Sequence, residues 1–438
     1  MDYETADFYS DTALVDDPHA YFDFLRAQGP VTRLPHRNVV AVTGYEETVQ
    51  VMLDTEHFSS INAVGGPLPP LPFEPRGDDI TAQLEASRKH IPFADQIVTE
   101  QGARHLNLRS IVATLFTPSR LKALEPSLRA TAEGLIDEFA ADGKVDLVAQ
   151  YGGPYATLII ADLLGIPESS RAKYRVWLEG AVPAKMGASA DEMKKNPIVN
   201  IGKDLFGLIT KRRLMNKAPL KWFKGLAYRA PDGRDDILTD LALAKFPDGS
   251  QPTLIDLTAL GGFLFGAGQD TTNRLLANGF RVIATHPDIQ QELRDNPKRI
   301  PDFLEELLRY EGSVKSGGRM CQKTTTLGGV EIMAGTTILM SHMAANRDPK
   351  RFADPHVFDM NRPKIKEHLA FGRGAHTCIG APLARREVAV SIERLLARMG
   401  NIRLSETHHG PESARKFFYE PTYILRAMRE LHLEFDTL

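Results

Sequence analysis

The stretch with the densest chemistry in this sequence is Phe371-Gly372-Arg373-Gly374-Ala375-His376-Thr377-Cys378-Ile379-Gly380, where three glycines flank one cysteine. Glycine permits positive φ and close backbone approach, so such a loop can lie against a flat ring system and turn its amides toward a sulfur. A thiolate held in that way can ligate iron, and metal coordination deprotonates the thiol outright. Taken alone, a loop cysteine is more often a small buried hydrophobe or a nucleophile. A nucleophile would want His376 as its base, although closeness in sequence is no evidence for the geometry a base needs. A second chemical group, Ala267-Gly268-Gln269-Asp270-Thr271-Thr272, lies midway along the longest helical pattern. An acid beside an alcohol can relay protons there. The same residues can equally be a threonine bonding back to a carbonyl and an aspartate paired with a neighbouring cation. Gly268 costs about 1 kcal/mol relative to alanine in a helix, so local widening or packing against something flat is expected at that point.

The full spacing Phe, Gly, x, Gly, x, His, x, Cys, x, Gly resembles the haem-binding loop of the cytochrome P450 family. Further matches follow in that family's order over nearly the whole chain. His105 and Arg109, one helical turn apart, resemble the pair that grips a haem propionate. Glu306 and Arg309 resemble the Glu-x-x-Arg pair of the family's structural core, with Arg362 as the candidate partner, and Arg319 resembles the strand arginine that also binds a propionate. Each match has a plain alternative, since Glu-x-x-Arg on a helix is ordinarily a surface ion pair worth a few tenths of a kcal/mol. Their shared order with the cysteine loop is what gives them weight.

The resemblance implies Cys378 as the metal ligand of haem b, with Phe371, Gly372 and Gly380 around the thiolate. It implies His376 toward a propionate, and Ala267 and Gly268 against the cofactor, with O2 as co-substrate. Asp270 and Thr271 become the catalytic pair, the acid delivering protons and the alcohol holding dioxygen. Relatives that consume peroxide directly lack this pair, so the implied reaction inserts one oxygen atom from O2 into a hydrophobic small molecule. The alternative is a haem-binding helper or sensor without turnover, disfavoured by Cys378, Glu306, Arg309, Asp270 and Thr271 occurring together. The implied pocket draws on Phe93, Ile97, Phe263, Ala267, Gly268, Thr271, Val314 and a residue near Phe418. That set is mostly apolar, and a terpenoid, steroid or alkyl-aromatic skeleton is expected. No flavin or iron-sulfur motif is visible, so electrons are expected from a separate ferredoxin and its reductase. Arg104, Arg373, Arg385 and Arg386 are the candidate docking contacts near Cys378, with helix capping or the haem propionates as their alternative use. Cys321 has no place in the pattern and reads as a buried strand residue.

The elements that must hold these groups follow from periodicity and punctuation. Pro18 opens a helix through Gln28, and two short strands, Val31 to Leu34 and Val39 to Thr43, flank a turn. Residues 62 to 79 carry so many prolines and glycines that a regular helix is forbidden, and the segment from Gly65 to Gln96 is expected to close over the substrate. Helix dominates from Arg104 to Gly165, with breaks at Thr117-Pro118 and Gly152-Gly153-Pro154. Thr253 to Ala284 is a long central helix over the haem. A helix follows around Glu306 to Arg309, then strands near Arg319 to Leu327 and Val330 to Leu339, and a last long helix from Pro382 through Leu396. The expected class is mainly α with small β-sheets.

A length of 438 residues would by itself suggest two or three domains. The resemblance instead makes 1–438 one haem domain, β-rich around residues 30–60 and helical in the remainder. The formal net charge of -3 suggests neither nucleic acid nor an anionic membrane as a partner. Two cysteines in a chain this long fit a reducing compartment, and the acidic stretch Met1 to Asp17 resembles neither a signal peptide nor an anchor. A cytoplasmic monomer is expected. The basic stretch Lys211 to Lys224 reads as a solvated helix end and loop, with surface docking as its alternative.

Overall fold

The computed structural model describes residues 2–179, 198–216 and 237–438. Near the start, Pro18 occupies the first turn of the helix Pro18–Gln28, where its missing N–H costs nothing, and the Asp17 side chain caps it by accepting from the His19 amide. Strands β1 (Val31–Arg33), β2 (Val39–Val42) and β3 (Phe58–Ser59) follow. They are completed from far along the chain by β5 (Gly317–Cys321) and β8 (Thr337–Met340), giving the order β1-β2-β8-β5-β3. β2 and β8 are parallel, and both are buried at every position. That is why they read as unbroken runs rather than alternating ones. Between them β6 (Thr325–Leu327) and β7 (Val330–Ile332) form a separate hairpin.

The helical body surrounds one long element, Leu254–Thr285. Its 32 residues would span about 48 Å. Its start is fixed by a reciprocal cap in which the Thr253 hydroxyl accepts from the Asp256 amide while the Asp256 carboxylate accepts from the Thr253 amide. His286 and Pro287 end it. Gly153–Leu164, Ile198–Met215 and Ala381–Arg398 pack along it. Among the described residues no helix is long and apolar enough to cross a membrane. With about 53% helix and small sheets, the class is the mainly helical one the sequence implies.

One expectation needs correction. The helical run from Arg104 is broken once more than the periodicity shows. Gly102–Ala113 and Pro118–Asp137 are followed by β4 (Lys144–Asp146) and a π-helical turn, Leu147–Gly152. β4 exists because β10 (His432–Thr437), itself paired with β9 (Met399–Leu404), covers it. A partner so distant in sequence leaves no local signal.

The proline-rich half of the expected cap packs against β5 and the residue that follows it. The Tyr423 hydroxyl donates to the Val64 and Gly65 carbonyls at 2.9 and 3.1 Å, and the Ile80 amide donates to the Gln322 carbonyl at 2.8 Å. A Cβ on Gly318 would stand 2.6 Å from the Asn62 carbonyl oxygen, so only glycine lets the loop lie this close. Beneath it is a cavity of about 380 Å³ lined by Pro67 to Pro75 with Ile61 and Met320. Of the basic Lys211 to Lys224 stretch, residues 217–224 lie outside the described residues. Within its described part Arg212 is buried and donates to the Gly165 carbonyl at 2.9 Å.

Candidate active site

Cys378 sits between a 3-10 turn, Gly374–His376, and the helix Ala381–Arg398. Its amide donates to the Phe371 carbonyl at 2.8 Å, closing the loop on itself. Gly372 and Gly374 have φ of +64° and +72°, and a Cβ on Gly374 would lie 3.0 Å from the Met52 carbonyl oxygen. The glycines are therefore required by backbone conformation and by close approach. The Cys378 side chain is exposed on its open side and ringed by protein elsewhere. Burial pushes its thiol up, while the amides of Gly380 and Ala381 and the charges of Arg109 and Arg385 favour the thiolate. Phe371 lies between His368, at 6.1 Å ring to ring, and the Arg385 guanidinium at 4.7 Å. Glu305 holds both of these, accepting from Arg385 at 2.6 and 3.0 Å and pairing with His368 at 3.1 Å. Against burial, which raises it, the hydrogen bonds from His368 and Arg385 hold the Glu305 carboxyl down at about 2.

Beside the loop four basic side chains converge. His105 and Arg109 share one helix, Arg319 comes from β5, and the His376 ring lies 4.2 Å from that of His105. Among the described residues neither Arg109 nor Arg319 has a carboxylate partner. Arg319 is 8% exposed and donates only to the Gly318 carbonyl, while Arg109 reaches the Thr377 carbonyl. The buried Nε2 of His105 has no hydrogen-bond partner. Burial pushes Arg319 down to about 10. Burial, then the charges of Arg319, His105 and Arg109, push His376 down to about 3. Burial and Arg109 also lower His105. Unanswered buried cations are costly, and a dianionic ligand is what would offset them. One soft sulfur with amides around it, next to a carboxylate-free basic cluster, is a donor set that fits an iron macrocycle carrying two propionates.

The long helix places Phe263, Ala267 and Thr271 at successive i, i+4 positions of one face. The Thr271 hydroxyl donates to the Ala267 carbonyl at 2.7 Å, and Asp270 is paired with Arg274 at 2.9 Å. Both residues thus show the plain mid-helix arrangement, and what chemistry they can do must be argued from what these contacts leave free. Gly268 lies in continuous α-helix, and a Cβ there would lie 3.3 Å from Ile160 Cδ1, so of the two expected reasons for this glycine, widening and close packing, the structure shows close packing against Gly153–Leu164.

Of the implied pocket residues, Phe93, Ile97, Phe263, Gly268, Thr271 and Val314 are half-buried, and Ala267 is exposed. Phe93 has φ +61°, and its carbonyl accepts from the Thr99 hydroxyl at 2.6 Å. Phe418 is 46% exposed, and the residue that bridges to Val314 is Leu425. Leu425 lies between Tyr419 and Met428, which bridge each other antiparallel. Glu306, Arg309 and Arg362 do come together. Arg309 donates to both Glu306 oxygens at 2.8 and 2.6 Å, and Arg362 Nε donates to Oε1 at 3.1 Å. The four candidate docking arginines already have partners. Arg104 binds Glu100 and Asp256, Arg373 binds Tyr45 and the Glu367 carbonyl, Arg385 binds Glu305, and Arg386 binds Glu125. Cys321 is fully buried in β5, as read from sequence.

Several residues of the site were not singled out from sequence. Glu387 is buried and accepts from the Thr272 hydroxyl at 2.9 Å, and burial pushes its carboxyl up to about 8. Its spacing of four from Leu383 and Ser391 on the cysteine helix was the available signal, because those neighbours mark the buried stripe. His342, pushed down to about 4 by burial and then by Arg319, also faces the basic cluster. Ser313 donates to the Thr271 carbonyl at 2.7 Å, and Arg274 pairs with Asp270.

A family model described as Cytochrome P450 matches residues 224–400. The structure is similar to that of the substrate-free form of Mycobacterium marinum cytochrome P450 CYP150A6, with a TM-score of 0.89, 46% identity and 100% of both chains covered. In sequence the chain is 32% identical over 425 residues to the cytochrome P450 monooxygenase PikC of Streptomyces venezuelae, covering 95% of this chain and 90% of that protein. It is 29% identical over 397 residues to the 6-deoxyerythronolide B hydroxylase of Saccharopolyspora erythraea, covering 90% of this chain and 91% of that one.

Proposed function

The chain belongs to the cytochrome P450 family of monooxygenases, and from that premise we propose that it binds haem b through Cys378 and inserts one atom of O2 into a hydrophobic small molecule. The observation that carries the assignment is the pairing of a glycine-held sulfur with a buried basic cluster that has no carboxylate of its own. When bound, the haem supplies the iron that activates dioxygen, with the thiolate donating electron density to it.

The chain's own residues do the rest. His105, Arg109, Arg319 and His376 hold the propionates, and Phe371 with the amides of Gly380 and Ala381 shields and polarises the sulfur. Thr271 gives its proton to the Ala267 carbonyl, yet its oxygen keeps lone pairs that can accept from water. Asp270 uses Oδ1 on Arg274 and keeps 22% of its side chain exposed, which suits a group that takes protons from solvent and passes them inward.

The apolar lining from Phe93, Ile97, Phe263 and Val314 supports a terpenoid, steroid or alkyl-aromatic substrate. A relative is named as a hydroxylase of 6-deoxyerythronolide B, a further compound to include in a screen. Electrons come from a ferredoxin and its reductase, in a cytoplasmic monomer whose residues 1–438 form one haem domain. Contacts between the chain's two terminal regions, such as Arg426 donating to the Val15 and Asp16 carbonyls at 2.6 and 2.8 Å, support the single domain.

The test is turnover with a ligand first identified by its spectral shift, supplying NADH and the redox chain. Substrate-dependent NADH use with product is expected, and Thr271→Ala should keep consuming NADH while product falls and hydrogen peroxide rises. Spectral binding without product under any supplied redox chain would remove the monooxygenase reading and leave a haem-binding helper.

A further inference from the structure

Arg274 is only 8% exposed and lies one helical turn from the acid. Its Nε donates to Asp270 Oδ1 at 2.9 Å, and Nη1 donates to the Met428 carbonyl. An ordinary i, i+4 pair on a helix surface is worth a few tenths of a kcal/mol and leaves both side chains mobile. Here the cation is buried and its second arm is fixed to backbone outside the helix. The planar guanidinium sets the angle between its donors, so tying one arm to a rigid carbonyl also sets where the other arm holds the carboxylate.

The element that fixes it also borders the pocket. Tyr419 and Met428 pair across an antiparallel bridge, and Leu425, nearer the tip, bridges to Val314. The neighbouring Arg426 amide donates to the Ser313 carbonyl at 2.8 Å, while the Ser313 hydroxyl donates to the Thr271 carbonyl at 2.7 Å. Asp270 and Thr271 are each tied, by separate bonds, into the same small unit formed by Ser313-Val314 and Leu425 to Met428.

We propose that Arg274 is the positioning residue for Asp270, holding the carboxylate in the orientation that proton delivery needs and anchoring it to the strand pair whose tip borders the pocket. The proposal rests on the reading of Asp270 as the proton-delivering acid. Without the guanidinium the carboxylate is released to its other rotamers, and the acid is present but misdirected. A lysine keeps the charge and can reach one acceptor but cannot hold both at a fixed angle.

The experiment compares Arg274→Gln, Arg274→Lys, Asp270→Asn and the double variant Asp270→Asn/Arg274→Gln. All are haem-loaded and checked for the wild-type carbonyl spectrum, then assayed for kcat, product per NADH, solvent deuterium isotope effect and spectral Kd for substrate. Arg274→Gln is expected to lower kcat roughly ten- to hundredfold and raise the isotope effect, with Kd within about twofold, since no substrate contact is removed. Arg274→Lys should recover part of the rate. The double variant should be no slower than Asp270→Asn alone, because the arginine acts only through the acid. A purely structural arginine would instead give additive losses and an unchanged isotope effect, and that result overturns the proposal. If Arg274→Gln fails to take up haem, Arg274→Lys carries the test. Wild-type kcat and coupling in both arginine variants, beside an impaired Asp270→Asn, would refute the role of Arg274 and leave the acid standing. An unimpaired Asp270→Asn would instead remove the acid's role.

Discussion

Two buried arginine sites in this molecule treat charge in opposite ways. At the first, Arg309 places five hydrogen bonds on the Glu306 carboxylate and on the carbonyls of Asn346, Pro355 and Val357, and Arg362 adds its own bond to Glu306. At the second, Arg319, Arg109, His105 and His376 crowd together without one acidic partner among the described residues. The protein completes the first site itself and leaves the second to be completed by a ligand. Burial alone does not mark a functional site, since both are buried. What distinguishes the second is that its electrostatic account does not close within the chain.

The largest effect should come from breaking the closed site. Glu306→Ala would leave two buried guanidinium groups unpaired and is expected to cost about 3–5 kcal/mol, measured by urea unfolding. The loss should appear whether or not haem is bound. A smaller loss limited to the haem-bound protein would contradict the contrast.

Glu387 sharpens it from the acid side, since among the described residues it is a buried carboxyl with a hydroxyl and no cation beside it. Its folded-state pKa is raised from 4.5 to about 8, so the native protein keeps the proton longer than the unfolded chain does. Its contribution is fully present below about pH 4.5 and is lost as pH rises through about 8. Wild type should therefore lose on the order of 3 kcal/mol more than Glu387→Gln between pH 5 and pH 8. Parallel stability profiles for the two proteins would show that this carboxyl is not held neutral.

Arg319→Met should have the smallest effect on stability and one of opposite sign. Removing an unpaired buried cation is expected to stabilise the haem-free protein by about 1 kcal/mol while weakening haem retention, measured by transfer to apomyoglobin. A destabilised apoprotein with unchanged haem retention would mean that Arg319 belongs with Arg309 after all.

How much of this was legible in the sequence depended on how local each cause was. Pro18, Thr253 and the His286-Pro287 stop mark helix ends through residues within one turn, and the structure puts the ends there. The buried apolar runs of β2 and β8 could be read as strands, but not their parallel pairing across most of the chain. β4 was invisible because β10 creates it. The cysteine loop was legible because glycines at fixed spacing have few other uses, and the basic cluster was legible only through a resemblance, its members lying on three separate elements. Side-chain partners were the least readable. Arg104 meets Asp256 and Arg385 meets Glu305 through the fold alone, and the bridge of Leu425 to Val314 joins residues far apart in sequence.

The central claim is that Cys378 is the iron's ligand and that the open basic cluster exists to hold the rest of that group. Its most direct test is the absorbance spectrum of the reduced, carbon monoxide-bound protein, recorded for wild type and for Cys378→Ala under conditions where both are folded. Wild type should show the red-shifted band of thiolate ligation and Cys378→Ala should lose it together with all substrate oxidation. A wild-type protein without that band, or a Cys378→Ala protein that keeps both band and activity, would contradict the account.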